Sequence, residues 1–135
     1  MTLAATRDFG YPRPPALLAG LIDHTLLRPD ATRAQVARYY AEALAHGFAS
    51  VCVNPVHVPF VASALAGGEV RSCAVIGFPF GASGAEAKAD EARRVVAAGA
   101  DELDMVIDIG GVIEGDIERC RTDLPPCGQP RTAGS

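Results

Sequence analysis

The sequence is poor in lysine, because Lys88 is the only one among 135 residues, and neither lysine nor arginine forms a block. The 16 acidic residues outnumber the 12 basic ones, which gives a net charge of −4. Nothing in this charge pattern favours binding of nucleic acid or of an anionic membrane surface. Hydrophobic residues make up 49% of the chain and charged residues 21%, a balance typical of one packed domain.

Sequence motifs for nucleotides and for zinc are also missing. No Gly-x-Gly-x-x-Gly follows the first strand-like run and no Gly-Lys-Ser/Thr occurs, which disfavours dinucleotide and P-loop functions. The four cysteines, Cys52, Cys73, Cys120 and Cys127, include no pair with Cys-x-x-Cys spacing, so a zinc site is not expected. We expect neither a metal nor a cofactor.

Long hydrophobic runs are absent as well. Residues 16–22 are apolar and follow Arg13, an arrangement that faintly resembles a signal peptide. The run is too short to span a bilayer, and Asp23 and His24 follow where a cleavage site would need small residues. The sequence therefore predicts a cytoplasmic protein in which this run packs on the body.

Strand-like apolar runs near residues 49–53, 70–76 and 102–107 alternate with segments of helical periodicity. Residues 22–29 alternate apolar and polar side chains before a proline and are a candidate for a further short strand. Repetition at intervals of this length is the pattern of βα units with right-handed crossovers. The predicted fold class is therefore α/β, with a parallel sheet.

Two capping boxes predict where helices begin. Thr32 with Gln35, and Ser83 with Glu86, have the spacing in which each side chain caps the other residue's backbone N–H. Lys88 would lie in the middle of the second helix, where we expect a solvated side chain.

Asp104 interrupts an apolar run from inside. A buried carboxylate costs several kcal/mol unless it is paired or hydrogen-bonded, so its presence needs an explanation. One explanation is a structural ion pair or cap, and the other is an acid or base at the mouth of a sheet or barrel. In parallel α/β proteins the loops that follow the strands carry the chemistry, here after Asn54, Gly77 and Asp108.

Four segments in order resemble the amino-terminal half of the deoxyribose-phosphate aldolase family, over roughly residues 18–116. Each segment alone would be a weak signal, but the four together are specific. They are residues 22–29 (IDHTLLRP), 52–55 (CVNP), 77–81 (GFPFG) and 99–106 (GADELDMV).

The resemblance implies a partial (β/α)8 TIM barrel and a class I aldolase, which cleaves 2-deoxy-D-ribose 5-phosphate reversibly to acetaldehyde and D-glyceraldehyde 3-phosphate. In this family a lysine forms a Schiff base with the substrate, and an aspartate relays protons. The aspartate falls on Asp104. Asp23, Thr25 and Cys52 fall on positions that line the substrate pocket.

The resemblance also divides the chain into an irregular arm (1–16), a partial aldolase barrel (17–117) and a divergent tail (118–135) that we expect to be disordered. The family's Schiff-base lysine lies in a later Lys-x-Ser/Thr-Thr-Gly strand, which this sequence does not contain. A closed barrel needs about 200–250 residues. We therefore expect a truncated form that is inactive alone and whose exposed apolar surface leaves it aggregated, molten or a homo-oligomer.

Two alternatives stay open at this point. One is a non-catalytic half-barrel that binds a sugar phosphate or a partner chain supplying the missing strands. The other is a metal-dependent lyase that uses Asp104, His24 and Cys52, which would have to converge on one ion at about 2.0–2.3 Å.

Overall fold

Four parallel strands form the centre of the computed structural model, which describes residues 18–124. Their spatial order follows the chain, and each crossover contains helix. The sheet confirms the predicted α/β class, with residues 22–29 contributing the additional strand. The strands are β1 (Asp23–Leu26), β2 (Ser50–Val53), β3 (Arg71–Ile76) and β4 (Glu102–Met105).

Within the described residues, five α-helices follow β1 in the chain. A 3₁₀ turn at Pro55–His57 leads into the second helix, where proline near the first turn costs no hydrogen bond. The helices are α1 (Arg33–His46), α2 (Val58–Leu65), α3 (Ala85–Ala97), α4 (Ile109–Glu114) and α5 (Ile117–Asp123).

The two predicted capping boxes have different outcomes. On α1, the Thr32 side chain accepts from the Gln35 N–H, and the Gln35 side chain accepts from the Thr32 N–H, as predicted. On α3 the prediction is wrong, because the helix begins after Gly84 and no side chain caps it. Glycine is tolerated at an N-cap through its backbone freedom, so Ser83 falls one residue outside the capping position.

The core lies between the sheet and the helices. Side chains from the outward face of β2 and β3 are almost fully buried against apolar side chains of α1, α2 and α3. Alternation along each strand sends the neighbouring residues to the opposite face. The buried core members from the two strands are Val51, Val53, Ala74 and Ile76, and those from the helices include Val36, Val58, Val61 and Val95.

The expected boundary at residue 117 coincides with the start of α5. Residues 118–123 are helical, so the prediction of a disordered tail is wrong for them. Asp116 caps this helix through the Arg119 N–H, and the helix ends just before Pro125 and Pro126. The arm at residues 1–16 and the tail from residue 125 lie outside the described residues.

Between residues 18 and 124 the sheet is open at both ends, because β1 pairs only with β2 and β4 only with β3. Within this same range, no helix is long and apolar enough to cross a membrane.

Candidate active site on the open face of the sheet

The strand register brings the four sequence-predicted site residues to one face of the sheet. Thr25 pairs with Cys52, and Cys52 pairs with Cys73 on the next strand. Asp104 pairs with Val75, which lies two residues beyond Cys73 and therefore points to the same side. Asp23 is two residues before Thr25 and shares its face. We call this surface, opposite to the helices that form the core, the inner face.

Asp104 lies at the rim of the inner face and is exposed. The expectation of a carboxylate within a buried strand is therefore wrong for this chain. β4 is an edge strand whose two inner-face residues, Glu102 and Asp104, are both exposed, while Leu103 and Met105 are half-buried on the other side. A solvated carboxylate carries no desolvation penalty, so Asp104 needs no structural ion pair to be tolerated there.

Cys52 lies on β2, between the edge strand that carries Asp23 and the edge strand that carries Asp104, and is 1% exposed. The hydrogen bond from Cys73 lowers the pKa of Cys52, although burial and the charges of Asp104 and Asp23 oppose this effect. The same hydrogen bond, followed by burial, raises the pKa of Cys73. Because both carboxylates act on both thiols, Asp23, Cys52 and Asp104 share one electrostatic environment.

Asp23 is held by a neighbour that sequence reasoning missed. The Ser50 hydroxyl donates to Asp23 Oδ1 at 2.5 Å, and Ser50 itself is fully buried. The Thr25 hydroxyl donates to the backbone carbonyl of Asp23 at 2.8 Å. Strand alternation was the available signal, since Ser50 lies two residues before Cys52 and must share its face.

His24 lies on the other face of the sheet. Its Nε2 is 2.8 Å from Glu42 Oε2 on α1, and its ring stacks on Tyr39 with centroids 4.4 Å apart. The hydrogen bond to His24 lowers the pKa of Glu42. His24 therefore cannot meet Cys52 and Asp104, and the structure gives no support to the metal-dependent lyase. Within residues 18–124, no cluster of three or more His, Cys, Asp or Glu side chains could hold a metal ion.

Lys88 is fully buried, so the prediction of a solvated lysine is wrong. Its ammonium donates to both carboxylate oxygens of Asp123 on α5, at 2.8 Å and 2.7 Å. Asp123 also accepts the backbone N–H of Asp108 at 2.7 Å. The two partners of this ion pair are 35 residues apart in the sequence. No local sequence pattern could have indicated a contact over that distance.

The lysine side chain also explains a glycine at the end of β3. A Cβ on Gly77 would lie 3.0 Å from Lys88 Cε, and the φ of +63° is one that only glycine adopts without strain. The Gly77 N–H donates to Glu91 on α3 at 2.8 Å. Gly77, which belongs to the third family segment, thus helps to pack the loop after β3 against α3.

The loop after β4 is fixed by Asp108. Its Oδ1 accepts the Gly111 N–H at 3.1 Å and caps α4, and its Oδ2 accepts from Arg119 Nε on α5. The Gly111 N–H, and then the Arg119 guanidinium, lower the pKa of Asp108. Asp108 is therefore a structural cap in this structure, which links the end of β4 to the last two helices.

A cavity of about 710 Å³ lies outside the inner face, between the loop after β3 and helix α3. Phe78 and Phe80 line it together with Asp90, Glu91 and Arg94. None of the four sequence-predicted site residues reaches this cavity, so we assign the candidate site to the inner face and not to the cavity.

The chain matches no protein-family model. It is 48% identical over 103 residues to the deoxyribose-phosphate aldolase of Treponema denticola, a match that covers 76% of this chain and 48% of the relative. The chain is homologous to deoxyribose-phosphate aldolases. A second such aldolase, from Rhodospirillum rubrum, is 58% identical over 109 residues, which cover 81% of this chain and 46% of the relative.

Solved structures show the same relationship. A putative deoxyribose-phosphate aldolase from Coccidioides immitis superposes with a TM-score of 0.78 at 38% identity, over 84% of this chain and 45% of the other. The deoxyribose-phosphate aldolase from Aeropyrum pernix, described as a unique tetrameric structure, superposes with a TM-score of 0.68 at 33% identity, over 83% and 51%. The open parallel sheet is thus a partial barrel, and the chain spans about half the length of these relatives.

Proposed function

We propose that this chain contributes the Asp104 side of a deoxyribose-phosphate aldolase site. The reaction is the reversible cleavage of 2-deoxy-D-ribose 5-phosphate to acetaldehyde and D-glyceraldehyde 3-phosphate, in cytoplasmic deoxyribonucleotide catabolism. The observation that carries the proposal is the shared inner face of Asp23, Thr25, Cys52 and Asp104. These residues come from three separate segments of the resemblance, and the register puts their side chains on the same face of the sheet.

In this proposal Asp104 moves protons. Its carboxylate is exposed at the rim, where a substrate can reach it. Asp23, which accepts the Ser50 hydroxyl, presents a second fixed carboxylate. Cys52 provides a small, buried part of the pocket floor. An acid–base group of this kind contributes about 10²–10⁴-fold to a rate.

Carbon–carbon cleavage also needs an amine that forms a Schiff base, and Lys88 does not fit that role. An ammonium that gives two short hydrogen bonds to a buried carboxylate is not a free nucleophile. Deprotonation of Lys88 would leave the Asp123 carboxylate buried without its counter-ion. We therefore propose that the 135 residues alone do not catalyse the reaction.

Borohydride trapping tests this absence of Schiff-base chemistry. The purified chain is incubated with 2-deoxy-D-ribose 5-phosphate and sodium borohydride, and its intact mass is measured. We expect no reduced adduct and no acetaldehyde. An adduct on Lys88, together with turnover, would show that the buried ion pair opens to admit substrate.

A chimera tests the role of Asp104. Residues 18–116 replace the matching part of the Rhodospirillum rubrum relative, which supplies the rest of that aldolase. We expect turnover of 2-deoxy-D-ribose 5-phosphate, and a loss of about 10²–10⁴-fold in kcat for Asp104→Asn. The matched control is Glu102→Gln, since Glu102 is exposed on the same strand and face but pairs with Arg71 at 3.5 Å. Equal activity of both variants would exclude Asp104, and a folded but inactive chimera would exclude the function.

A non-catalytic half-barrel is the second candidate. It is favoured because the Lys88 ammonium is bound to Asp123 and so does not supply the Schiff-base amine. A half-barrel that binds a sugar phosphate should bind 2-deoxy-D-ribose 5-phosphate without turnover. Isothermal titration of the full chain with 2-deoxy-D-ribose 5-phosphate separates the two candidates. Millimolar or tighter binding that Asp104→Asn leaves unchanged would support a binding module in place of an aldolase site.

A further inference from the structure

The two open edges of the sheet are complementary to each other. β1 and β4 are both four residues long, and they run in the same direction. Each is paired on one side only within the described residues, and the free sides face opposite ways. An unpaired strand edge presents backbone N–H and C=O groups that bind another strand readily.

Exposed apolar side chains adjoin both edge strands in the chain, at the amino end of β1 and at the carboxyl end of β4. Large hydrophobic residues are 47–66% exposed just before β1 and 48–80% exposed just after β4. Clustered apolar exposure of this kind marks an interaction surface. The residues are Leu18, Leu21 and Ile22 beside β1, and Ile109, Val112 and Ile113 beside β4.

We propose that two copies of this chain associate about a twofold axis parallel to the strands, with β4 of each copy pairing with β1 of the other. The two new β4–β1 pairings, which we call seams, continue the strand order and direction. The result is eight parallel strands, the number that closes a (β/α)8 barrel. Pairing of β4 with β4 of a second copy about a twofold axis would instead be antiparallel. The same fold therefore favours the β4–β1 seam.

Length supports a second copy as the occupant. This chain spans 48% and 46% of the two aldolase relatives described above, so two copies supply nearly the length of one relative. Twofold symmetry forms each favourable contact twice. The candidate site depends on this partner, because closure of the barrel encloses the inner face on which Asp104 lies.

The charges at the seam predict how the association responds to salt. The inner-face side chains nearest the two edges are Glu102 and Asp104 on β4 and Asp23 on β1, while Arg71 on β3 pairs with Glu102 at 3.5 Å. Like charges therefore face each other across the seam, and backbone pairing and apolar contact must provide the attraction. Because salt screens like-charge repulsion, the association strengthens as ionic strength rises.

Sedimentation equilibrium of the full chain tests the association. We expect a dimer of twice the 14.0 kDa chain mass, more stable at 0.5 M than at 0.05 M sodium chloride. Ile113→Asp, at a position 80% exposed beside β4, should raise the dimer dissociation constant at least tenfold. Val56→Asp is the matched control, since Val56 is 78% exposed but follows β2, away from both edges.

Far-UV circular dichroism identifies any variant that fails to fold. If Ile113→Asp unfolds, Val112→Asp at the 52% exposed neighbour replaces it. A monomer at micromolar concentration, a broad distribution of aggregates, or equal effects of Ile113→Asp and Val56→Asp would each overturn the proposal. So would a monomer that binds only the carboxyl-terminal half of an aldolase relative when the two are mixed.

Photocrosslinking tests the geometry of the seam independently of activity. A p-benzoylphenylalanine at position 104 is introduced into the chain, which is mixed with a ¹⁵N-labelled copy before irradiation. We expect crosslinks of mixed isotope composition to residues 18–28. Crosslinks to residues 99–108 of the second copy would indicate antiparallel β4–β4 pairing and overturn the proposed barrel. This result is independent of whether the aldolase function is correct.

Discussion

The face of the sheet that packs on the helices carries valine, isoleucine and alanine, whereas the inner face carries Asp23, Thr25, Cys52 and Asp104. On the helix side the side chains of the two central strands are almost completely buried. On the inner face the buried residues belong to the two central strands: they are Ser50 and a small cluster of Cys52, Cys73 and Val75, against which Leu27 packs. The edge residues of that face are solvated.

In the proposed function, this difference separates stability from chemistry within one sheet. The helix side holds the main hydrophobic core, and the inner face holds the groups that can transfer protons. The separation is typical of barrels, where the scaffold and the reactive positions lie on different parts of the same strands. Substitutions should therefore change stability or chemistry according to the face on which they lie.

The largest loss of stability is expected when the buried ion pair between Lys88 and Asp123 is broken. Asp123→Ala leaves the Lys88 ammonium buried without a partner, so the free energy of unfolding should fall by about 3–5 kcal/mol. Urea unfolding measures this change. Glu118→Ala on the same helix is the control, because its ion pair with Arg121 is exposed and should cost under about 1 kcal/mol.

The combined change Lys88→Met with Asp123→Leu extends the same test. If removal of both charges restores most of the lost stability, the cost belongs to the unpaired ammonium. If the single Asp123→Ala change proves no worse than Glu118→Ala, the ion pair does not hold α5 against α3.

A valine-to-alanine change made on each face compares the two faces directly and should have a smaller effect on stability. Val53→Ala on the helix side removes buried methyl groups from the main core and should cost about 2 kcal/mol. Val75→Ala on the inner face removes the same groups from the small cluster, where the open surface can relax, and should cost about 1 kcal/mol. Thermal unfolding measures both. A larger loss from Val75→Ala would mean that the inner face is the better-packed side.

The smallest effect is a change in thiol titration on the inner face. The hydrogen bond from Cys73 is the main cause of the lowered pKa of Cys52, and burial and both nearby carboxylates oppose it. Cys73→Ala should therefore raise the pKa of Cys52, and the thiolate absorbance at 240 nm should appear at higher pH.

Cys120→Ala is the control for this titration, because Cys120 lies on α5. The linkage has a definite sign for each thiol: above the unfolded pKa near 9.0 the raised pKa of Cys73 costs stability, whereas the lowered pKa of Cys52 contributes stability. That stabilisation is lost as the pH falls through the folded pKa, and Cys73→Ala should abolish it. An unchanged titration would show that the two thiols do not share a proton.

Short-range patterns in the sequence determined the α/β class, the approximate positions of the strands along the chain and the cap on α1. Thr32 and Gln35 are three residues apart, so their contact follows from helix geometry alone. Strand alternation likewise puts Asp23 and Thr25 on one face without knowledge of the rest of the chain. The resemblance selected Asp104 and Cys52, and the register then placed Cys52 beside Thr25 and put Asp104 on the same face at the opposite edge of the sheet.

Only the tertiary structure decided how exposed these groups are. Asp104 lies within an apolar run, which predicts burial, but its strand is an edge of an open sheet and the carboxylate is solvated. Lys88 lies between charged neighbours, which predicts solvation, but α5 brings Asp123 over it and buries the pair. Burial depends on segments that are distant in sequence, and the physical reason for both errors is that local pattern carries no information about them.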